Sequence, residues 1–343
     1  MLTFHSERTK KRDAMTELDG GRLVRPFECP ERVDIIIDRV RATDLGEIRA
    51  PEEYGLDPVL AIHDAGYVHF LERAWDDWSA AGMEGEAIPT IWPTRRMRGD
   101  VIPDTIAGEI GYYALAAETS LCAGTFEAAQ ASTDIALSAL DHVMATGNPA
   151  FGLCRPPGHH AAVDQYGGYC FFNNAAIAAQ RALDRGAAKV AVLDIDFHHG
   201  NGTQDIFYDR DDVLFVSLHG DPRQEFPFFL GHADETGTGA GRGFNVNYPL
   251  PSGTGYADWS ETLDEAIARV HRYQPDLLIV SVGVDTFEHD PISSFRLISE
   301  DFTDIGRRLR RAGMPTLFLM EGGYAIAEIG INTVNLLSGF DSA

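Results

Sequence analysis

The chain has 343 residues, 44% of them hydrophobic, so it is long enough to bury a large core. Its formal net charge of −24 at pH 7 argues against nucleic acid as a partner, because phosphate backbones attract clusters of Lys and Arg. The charge fits a cationic substrate drawn in by a negative field, and equally an acidic surface that serves solubility or salt adaptation. The four cysteines form no Cys-x-x-Cys pair, and we find no signal peptide and no apolar run of about 18 residues. We therefore expect a soluble, cytoplasmic protein with free thiols.

Short apolar runs rich in β-branched residues alternate with helical segments from residue 150 onward. We predict strands at 150–154, 189–195, 213–218, 277–282 and 315–320, and helices at 174–185, 258–273 and 301–312. The strands show little polar alternation, which is typical of a sheet that helices cover on both faces. Strands that alternate with helices indicate a mainly parallel sheet with crossover helices.

The segment 74–113 differs from the rest of the chain. It contains three of the four tryptophans and the basic run Arg95-Arg96-Met97-Arg98. We interpret it as a long insertion into a single domain that spans 1–343. Long loops are usually functional or carry a partner surface, and exposed Trp and Arg are enriched at interfaces. A packed structural flap is the alternative.

Nearly all the unusual polar residues directly follow one of the predicted strands. They are His159, His160, Asp194, Asp196, His198, Asn201, His219, Asp285, Glu321 and Tyr324. In open parallel α/β sheets, ligands bind at the carboxyl ends of the strands. We therefore expect these side chains to converge on an active site at that edge of the sheet.

Asp196 and His198 are two residues apart, so on an extended strand end both side chains point the same way. With Asp285 from another strand end, two carboxylates and one imidazole form a three-ligand site with open positions, as catalytic zinc sites have. Ligation by Asp and His without Cys also suits Fe(II), Co(II) or Mn(II). A lone Asp-x-His could instead cap a helix, but the accompanying residues favour a metal site.

His159 and His160 follow a Pro-Pro-Gly turn that can direct both imidazoles into a cleft. One of them could take a proton from water and deliver it to a leaving amine. A packing role or a secondary metal role is the alternative. Tyr324 follows two glycines after a strand, and a phenol beside a metal is a good donor to a developing oxyanion.

These residues lie in strings that resemble the histone deacetylase superfamily and, within it, the acetylpolyamine amidohydrolases. The strings are H-D-A-G-Y (63–67), R-P-P-G-H-H (155–160), G-G-Y-C-F-F-N-N (167–174), L-D-I-D-F-H-H-G-N-G-T (193–203), V-S-L-H-G (216–220), S-V-G-V-D-T (281–286) and M-E-G-G-Y (320–324). They occur in order over nearly the whole chain. The resemblance implies an arginase/deacetylase-like, three-layer α/β/α fold with a mostly parallel central sheet. It also implies hydrolysis by water activated on Zn(II), with Asp196, His198 and Asp285 as ligands.

The resemblance also assigns roles to the residues around the metal. It implies that His160 is the general base and acid and that His159 gives electrostatic help. Asp194 would partner His159, and Asn201, where some family members have Asp, would partner His160. Tyr324 would polarise the scissile carbonyl.

A substrate tunnel is implied as well. Tyr169 and Phe226 would line it, and the Gly168 backbone could accept the substrate amide N–H. We take Glu118 as the candidate carboxylate that holds the distal ammonium of a polyamine at the mouth. An exposed glutamate on a helix is the alternative reading of Glu118.

Two further expectations come from the resemblance. A structural K+ ion is implied near Asp194, Asp196, His198, Ser217 and Leu218. In the acetylpolyamine branch, an insertion like 74–113 builds a dimer interface and narrows the mouth of the active site. We therefore expect a homodimer.

We predict hydrolysis of the acetamide bond of N-acetylated polyamines such as acetylputrescine, acetylcadaverine or acetylspermidine. The partner is then a small cationic acetylated amine, with no nucleic acid and no membrane. A protein acetyl-lysine deacetylase is the nearest alternative, although a restricted mouth would reject bulky peptides. A ureohydrolase would need a two-manganese site with more Asp ligands. The intact set of His, Asp and Tyr disfavours a non-catalytic binding protein.

Overall fold

The computed structural model describes residues 1–342 and contains a central sheet of eight strands in which every neighbouring pair is parallel. In sheet order the strands are β4 (Ile48–Arg49), β1 (Leu2–Phe4), β5 (Ala150–Gly152), β10 (Thr316–Met320), β9 (Leu277–Val282), β6 (Val190–Asp194), β7 (Val213–Gly220) and β8 (Asn245–Leu250). A separate antiparallel hairpin consists of β2 (Glu17–Asp19) and β3 (Arg22–Val24).

Helices cover both faces of the sheet. One layer consists of α1 (Glu31–Ala42), α8 (Tyr256–Tyr273), α9 (Asp301–Arg310) and α10 (Ile329–Asp341). The other consists of α2 (Asp57–Leu60), α3 (Ala65–Ala80), α4 (Ile106–Tyr113), α5 (Thr125–Thr146), α6 (Asn174–Asp184) and α7 (Asn201–Phe207). Two short 3-10 helices lie at Glu7–Lys11 and Gly239–Gly241. Among residues 1–342, no helix combines the length and apolar character that a bilayer span requires.

The five central strands β5, β10, β9, β6 and β7 contribute side chains to both cores in alternation. Val192 and Ile279 pack into the core beneath the α3–α5–α6 layer, whereas their neighbours Leu193 and Val280 pack into the opposite core. All four are fully buried. Both faces of the strands therefore have to be apolar, which is why the sequence shows so little polar alternation.

The fold class is confirmed: the sheet is parallel and lies between two helical layers. The predicted strands and helices of the second half are present, with ends that differ by a few residues at most. The Asn173 side chain caps α6 by accepting a hydrogen bond from Ala176 N–H at 2.9 Å. Gly186, just beyond this helix, has a φ of 103°, a value that favours glycine.

The segment 74–113 is not one long loop, because both of its ends are helical. Residues 74–80 belong to α3, in which Ala74 and Trp78 are buried, and 106–113 form α4. The irregular part is therefore 81–105. The tryptophans of 74–113 do not form an exposed surface, because Trp75 and Trp92 pack partly against the core and buried Trp78 donates a hydrogen bond to the Gly85 carbonyl at 3.0 Å.

Replacing Leu278 by Ala should destabilise the sheet strongly, because this β9 side chain is 0% exposed and its loss leaves a cavity. We expect the free energy of unfolding to fall by about 2–5 kcal/mol in urea titrations. The matched control is Leu60→Ala, at a leucine that is 43% exposed, which should cost less than about 1 kcal/mol. Equal effects of the two substitutions would contradict the assigned core.

Candidate active site

The register of the sheet brings the predicted polar residues to one edge. Asp194, at the end of β6, lies opposite Ser217 of β7 and Ser281 of β9. β10 and β5 follow on the far side of β9. The segments after these five adjacent strands carry the twin histidines, the Asp-x-Asp-x-His run, Asp285 and Tyr324, and they meet at this edge.

Asp196, His198 and Asp285 converge here. His198 Nδ1 lies 3.1 Å from Asp285 Oδ2 and 3.4 Å from Asp196 Oδ1. One ligand atom of each residue lies within 4.8 Å of the other two. Atoms that each lie about 2.0–2.2 Å from a tetrahedral zinc ion are about 3.3–3.6 Å apart. The spacing of the three side chains therefore fits ligands of one metal ion.

The charges of this cluster attract a cation. Burial and the charge of Asp196 raise the pKa of Asp285 to about 8. Burial alone would lower the pKa of His198, but Asp196 and Asp285 outweigh it and raise this pKa to about 10. The two carboxylates thus stabilise positive charge between them, and a divalent metal ion on this donor set fits that requirement.

Backbone N–H groups donate hydrogen bonds to the oxygens of Asp196 and Asp285 that do not face His198. Gly322 N–H donates to Asp196 Oδ2 at 2.7 Å, and Phe197 N–H donates to Asp285 Oδ1 at 2.9 Å. A Cβ at Gly322 would overlap both carboxylates, so only glycine allows this close approach. The segment after β10 thereby orients Asp196, and the segment after β6 orients Asp285.

The two histidines lie against the partners expected from the resemblance. His159 Nδ1 is 2.9 Å from Asp194 Oδ2, and His160 Nδ1 is 2.7 Å from Asn201 Oδ1. Asn201 Nδ2 donates to the His160 carbonyl at 3.3 Å, which fixes the orientation of the amide. Because an amide oxygen only accepts hydrogen bonds, His160 Nδ1 carries the proton and its Nε2 is left as a base.

The pKa values of these two imidazoles shift in opposite directions, although their ring centroids are only 4.0 Å apart. Burial opposes protonation of His159, but the charges of Asp194 and Asp196 outweigh it and raise its pKa to about 10. For His160, burial and repulsion by His159 and His198 hold the pKa well below its usual value. At neutral pH, His159 is therefore cationic and His160 is a neutral base.

Tyr324 lies beside the same cleft. Its N–H donates to Asp290 Oδ2 at 2.7 Å, and its ring packs edge-on against Tyr169 at a centroid distance of 5.5 Å. Asp290 also accepts from Ala325 N–H at 3.2 Å, so it anchors the turn that presents the phenol. We did not predict Asp290 from the sequence, because no motif surrounds it.

Phe226 and Tyr169 form part of the wall of the cleft. The Phe226 ring is perpendicular to His160, at 89° and a centroid distance of 5.1 Å. Gly168 and Tyr169 both adopt left-handed backbone conformations, with φ of 54° and 66°. A Cβ at Gly168 would overlap the His160 ring, so the backbone at this glycine lies directly against the imidazole.

A cavity of about 470 Å³ joins these groups. It is lined by His160, His198 and Tyr324, by the wall residues Gly168, Tyr169 and Phe226, and by Glu17, Glu118 and Glu225, among others. Such a volume is typical of a site for a small molecule.

Glu118 borders this cavity from the turn after α4 and is not on a helix. Its Oε1 accepts hydrogen bonds from Gly168 N–H and from the Thr119 hydroxyl, both at 2.8 Å. The alternative of an exposed helical glutamate is therefore wrong.

Glu17 is a second carboxylate at the cavity, and we did not predict it from the sequence. It is 4% exposed, and its carboxylate accepts from the Tyr169 hydroxyl at 2.7 Å and from Phe27 N–H at 3.1 Å. Burial raises its pKa to about 7. Glu17 begins a three-residue strand outside every motif, so only the tertiary structure identifies it.

The residues of the expected potassium site lie together at the ends of β6 and β7. Asp194 is opposite Ser217 in the sheet, and Asp194 Oδ1 accepts from Asp196 N–H at 3.1 Å. The Ser217 hydroxyl is 2.8 Å from His219 Nδ1, and Leu218 is fully buried beside it. Asp194 and Ser217 therefore lie beside Asp196, which belongs to the candidate metal cluster.

Comparison with known proteins extends the likeness to the whole chain. Residues 26–339 match the model of the histone deacetylase domain family. The chain is 54% identical over 341 residues to acetylpolyamine amidohydrolase 2 of Pseudomonas aeruginosa, with 99% of both chains covered. It is 54% identical over 339 residues to acetylpolyamine amidohydrolase of Mycoplana ramosa, again with 99% of both chains covered.

A solved structure, that of an acetylpolyamine aminohydrolase from Burkholderia pseudomallei, has a TM-score of 0.95 at 37% identity and covers 100% of this chain and 99% of its own. This likeness confirms the arginase/deacetylase-like fold. The chain belongs to the histone deacetylase family and, within it, to the acetylpolyamine amidohydrolases.

Proposed function

We propose that the chain hydrolyses the acetamide bond of N-acetylated polyamines such as acetylputrescine, acetylcadaverine and acetylspermidine. The observation that carries this proposal is one cavity lined both by His198 of the Asp196–His198–Asp285 cluster, His160 and Tyr324 and by the carboxylates of Glu17 and Glu118. The first set suits the hydrolysis of an amide, and the glutamates suit a cationic amine. Relatives that are 54% identical bear the name acetylpolyamine amidohydrolase.

Two glutamates favour a substrate that carries a positive charge away from the acetyl group. Burial is the main cause of the raised pKa of Glu17, and the charge of Glu118 adds to it. An ammonium group near both carboxylates would offset their repulsion and favour ionised Glu17. The net charge of −24 adds a long-range attraction for polycations.

Zinc is the metal we propose for Asp196, His198 and Asp285, with Fe(II), Co(II) or Mn(II) as alternatives that the same donor set accepts. The spacing of the three ligand atoms and the buried negative charge support this assignment. When bound, such an ion supplies Lewis acidity at the acetyl carbonyl and a lowered pKa for water.

In the proposed reaction, His160 Nε2 takes a proton from water as the water oxygen bonds to the acetyl carbon. The same nitrogen then delivers a proton to the amine as the C–N bond breaks, which releases acetate and the free amine. His159 keeps its proton, held by Asp194, and stabilises the negative charge that develops beside it.

Tyr324 and Gly168 orient the amide in this proposal. The Tyr324 hydroxyl donates to the carbonyl oxygen as its negative charge grows. The Gly168 carbonyl accepts the substrate amide N–H, and the contact between Gly168 N–H and Glu118 holds this backbone in place. Tyr169 and Phe226 confine the chain of the substrate between them.

We also propose a structural K+ ion near Asp194, Asp196, His198, Ser217 and Leu218. Asp194 and Asp196 are both 0% exposed and two residues apart, so a second cation would relieve their repulsion. Carboxylate, hydroxyl and backbone oxygens are the ligands that hard cations prefer.

A homodimer through the insertion is a further part of the proposal. The irregular segment 81–105 exposes five large apolar side chains, a composition that favours an interface. They are Met83, Ile91, Met97, Val101 and Ile102. A cytoplasmic location is supported by the four cysteines, all of which are unpaired.

The competing activities fit the cavity less well. A protein acetyl-lysine deacetylase has no need for Glu17 and Glu118 beside the cavity. A ureohydrolase would need two metal ions and additional aspartate ligands, whereas the described residues offer one group of two aspartates and a histidine and a second of His159, Cys170 and Glu321. We therefore do not favour either.

A substrate panel tests the function. With defined metal loading, we expect kcat/KM to be highest for acetylputrescine, lower for its uncharged analogue N-butylacetamide and lowest for an acetyl-lysine peptide. Because the pKa of Glu17 is raised to about 7, Glu17 gains its charge as the pH rises through that value. The KM for acetylputrescine should therefore fall between about pH 6 and about pH 8.

Glu17→Gln should flatten this pH dependence, and N-butylacetamide, which has no ammonium group, should show none. A wild-type enzyme that prefers the acetyl-lysine peptide, or that handles the charged and uncharged amides equally well, would overturn the proposed substrate class.

Asp196→Ala should lower metal occupancy and abolish acetate release, because it removes a ligand whose loss leaves two donors. Metal per chain is measured by elemental analysis of the purified protein, and acetate by a coupled assay. A chelator should likewise inactivate the wild-type enzyme, and adding the metal back should restore it. Full activity of metal-free protein would rule the mechanism out.

Tyr324→Phe should keep the metal but lower kcat by on the order of 10²–10³, as for the loss of one oxyanion donor. KM should change little, because the hydroxyl acts mainly in the transition state. Elemental analysis and steady-state kinetics check the two statements. Normal turnover in this variant would contradict the role of Tyr324.

A further inference from the structure

The twin histidines and Tyr324 lie on two segments, 155–160 and 321–324, that follow the adjacent strands β5 and β10. A proton transfer by His160 and an oxyanion contact by Tyr324 need a fixed distance between these segments. Each of the two segments is connected through an arginine to the same buried carboxylate, that of Glu28.

Arg155 connects Glu28 to the histidine segment. Its Nε donates to Glu28 Oε1 at 2.7 Å and its Nη2 to Glu28 Oε2 at 3.2 Å, which is a two-point contact of fixed geometry. Its Nη1 donates to the Thr9 carbonyl at 2.7 Å. Arg155 is the first residue of the Arg-Pro-Pro-Gly-His-His run, so its position sets where the run begins.

Arg32, from α1, connects Glu28 to the tyrosine segment. Its Nη1 donates to Glu28 Oε1 at 3.2 Å, its Nη2 to the Glu321 carbonyl at 2.6 Å and its Nε to the Gly323 carbonyl at 2.8 Å. Its guanidinium also lies 4.9 Å from the centroid of the Tyr324 ring. One arginine thus holds the backbone on both sides of Gly322 and the phenol that follows.

A direct contact closes the network. Glu321 Oε2 accepts from Gly158 N–H at 2.6 Å and from His159 N–H at 3.2 Å. The tyrosine segment therefore touches the histidine segment through Glu321, and both are held from outside through Glu28.

Burying the charges of this network costs free energy unless its hydrogen bonds and ion pairs are formed. Glu28, Arg32 and Arg155 are each 1–2% exposed. Although burial opposes ionisation of Glu28, the two arginines hold its pKa below the usual value, so it is a carboxylate at neutral pH. Buried ion networks often stabilise a fold no better than apolar side chains would, but they fix geometry more strictly.

We propose that Glu28 is a positioning residue that sets the spacing between the histidine pair and Tyr324, through Arg155 on one side and Arg32 on the other. The proposal rests on the roles assigned above to His160 and Tyr324. Glu28 does not border the cavity and is separate from the metal ligands, which follow β6 and β9.

Glu28→Gln tests the proposal because it keeps the shape and removes the charge that both arginines share. In the metal-loaded enzyme we expect kcat for acetylputrescine to fall by on the order of 10- to 100-fold, as for small misplacements of reacting groups. KM should stay within about twofold and metal per chain should not change, because neither the cavity lining nor the ligands are altered.

A double-mutant cycle separates positioning from general weakening. If Glu28 acts by placing Tyr324, Glu28→Gln should lower kcat much less in the Tyr324→Phe background than in the wild type. The matched control is Asp134→Asn, at another buried carboxylate (2% exposed), which pairs with Arg8 and Tyr54 N–H and contacts neither segment. It should leave kcat unchanged.

Where Glu28→Gln does not fold, Arg155→Lys replaces it, since lysine keeps the charge but loses the two-point contact. A folded variant with full kcat, or full additivity with Tyr324→Phe, would overturn the proposal. A failure of the proposed function would give a different result, because the Tyr324→Phe single variant would then keep its turnover. If Tyr324→Phe is impaired and Glu28→Gln is not, only the positioning role fails.

Discussion

The active site depends on three aspartate carboxylates that are buried at one edge of the sheet. Asp194, Asp196 and Asp285 are each 0% exposed, and a carboxylate taken out of water costs several kcal/mol unless cations or donors compensate it. Backbone amides supply part of that compensation. The rest has to be positive charge, which explains why His159 and His198 both have raised pKa values and why the cluster suits a metal ion.

The same buried charges give His159 and His160 different protonation states. His159 faces Asp194 and stays protonated, whereas His160 faces the neutral amide of Asn201 and is repelled by its cationic neighbours. Two adjacent residues of the same type therefore acquire opposite protonation states at neutral pH. The residues next to 159 and 160 in the sequence do not determine this difference. It comes from the hydrogen-bond partners Asp194 and Asn201, which lie at the end of β6 and the start of α7.

The sequence predicted the elements that repeat a simple pattern and the residues that lie in motifs. Asp196, His198 and Asp285 could be predicted to lie close together because they directly follow strands that are apolar on both faces. α5 was missed because 14 of its 22 residues are buried, many of them Ala, Ser or Thr, so no single apolar stripe marks it. Glu17 and Glu28 were missed because each acts through tertiary contacts, with Tyr169 in one case and with Arg32 and Arg155 in the other. Nothing in their immediate sequence distinguishes them from surface glutamates.

The charge along the cavity differs between the candidate metal cluster and the two glutamates Glu17 and Glu118. Beside the cluster of Asp196, His198 and Asp285, the buried carboxylates are already matched by protonated His159 and by the cation that they attract, so a neutral acetyl group can approach without an added charge. Glu17 and Glu118 border the same cavity and form no salt bridge with a lysine or arginine of the described residues. Their hydrogen-bond donors are backbone N–H groups and hydroxyls. A substrate with its amide at one end and an ammonium at the other satisfies both regions at once. The reversed orientation would bring the ammonium towards cationic His159 and leave the two glutamates unpaired, so the charge pattern itself selects the productive orientation.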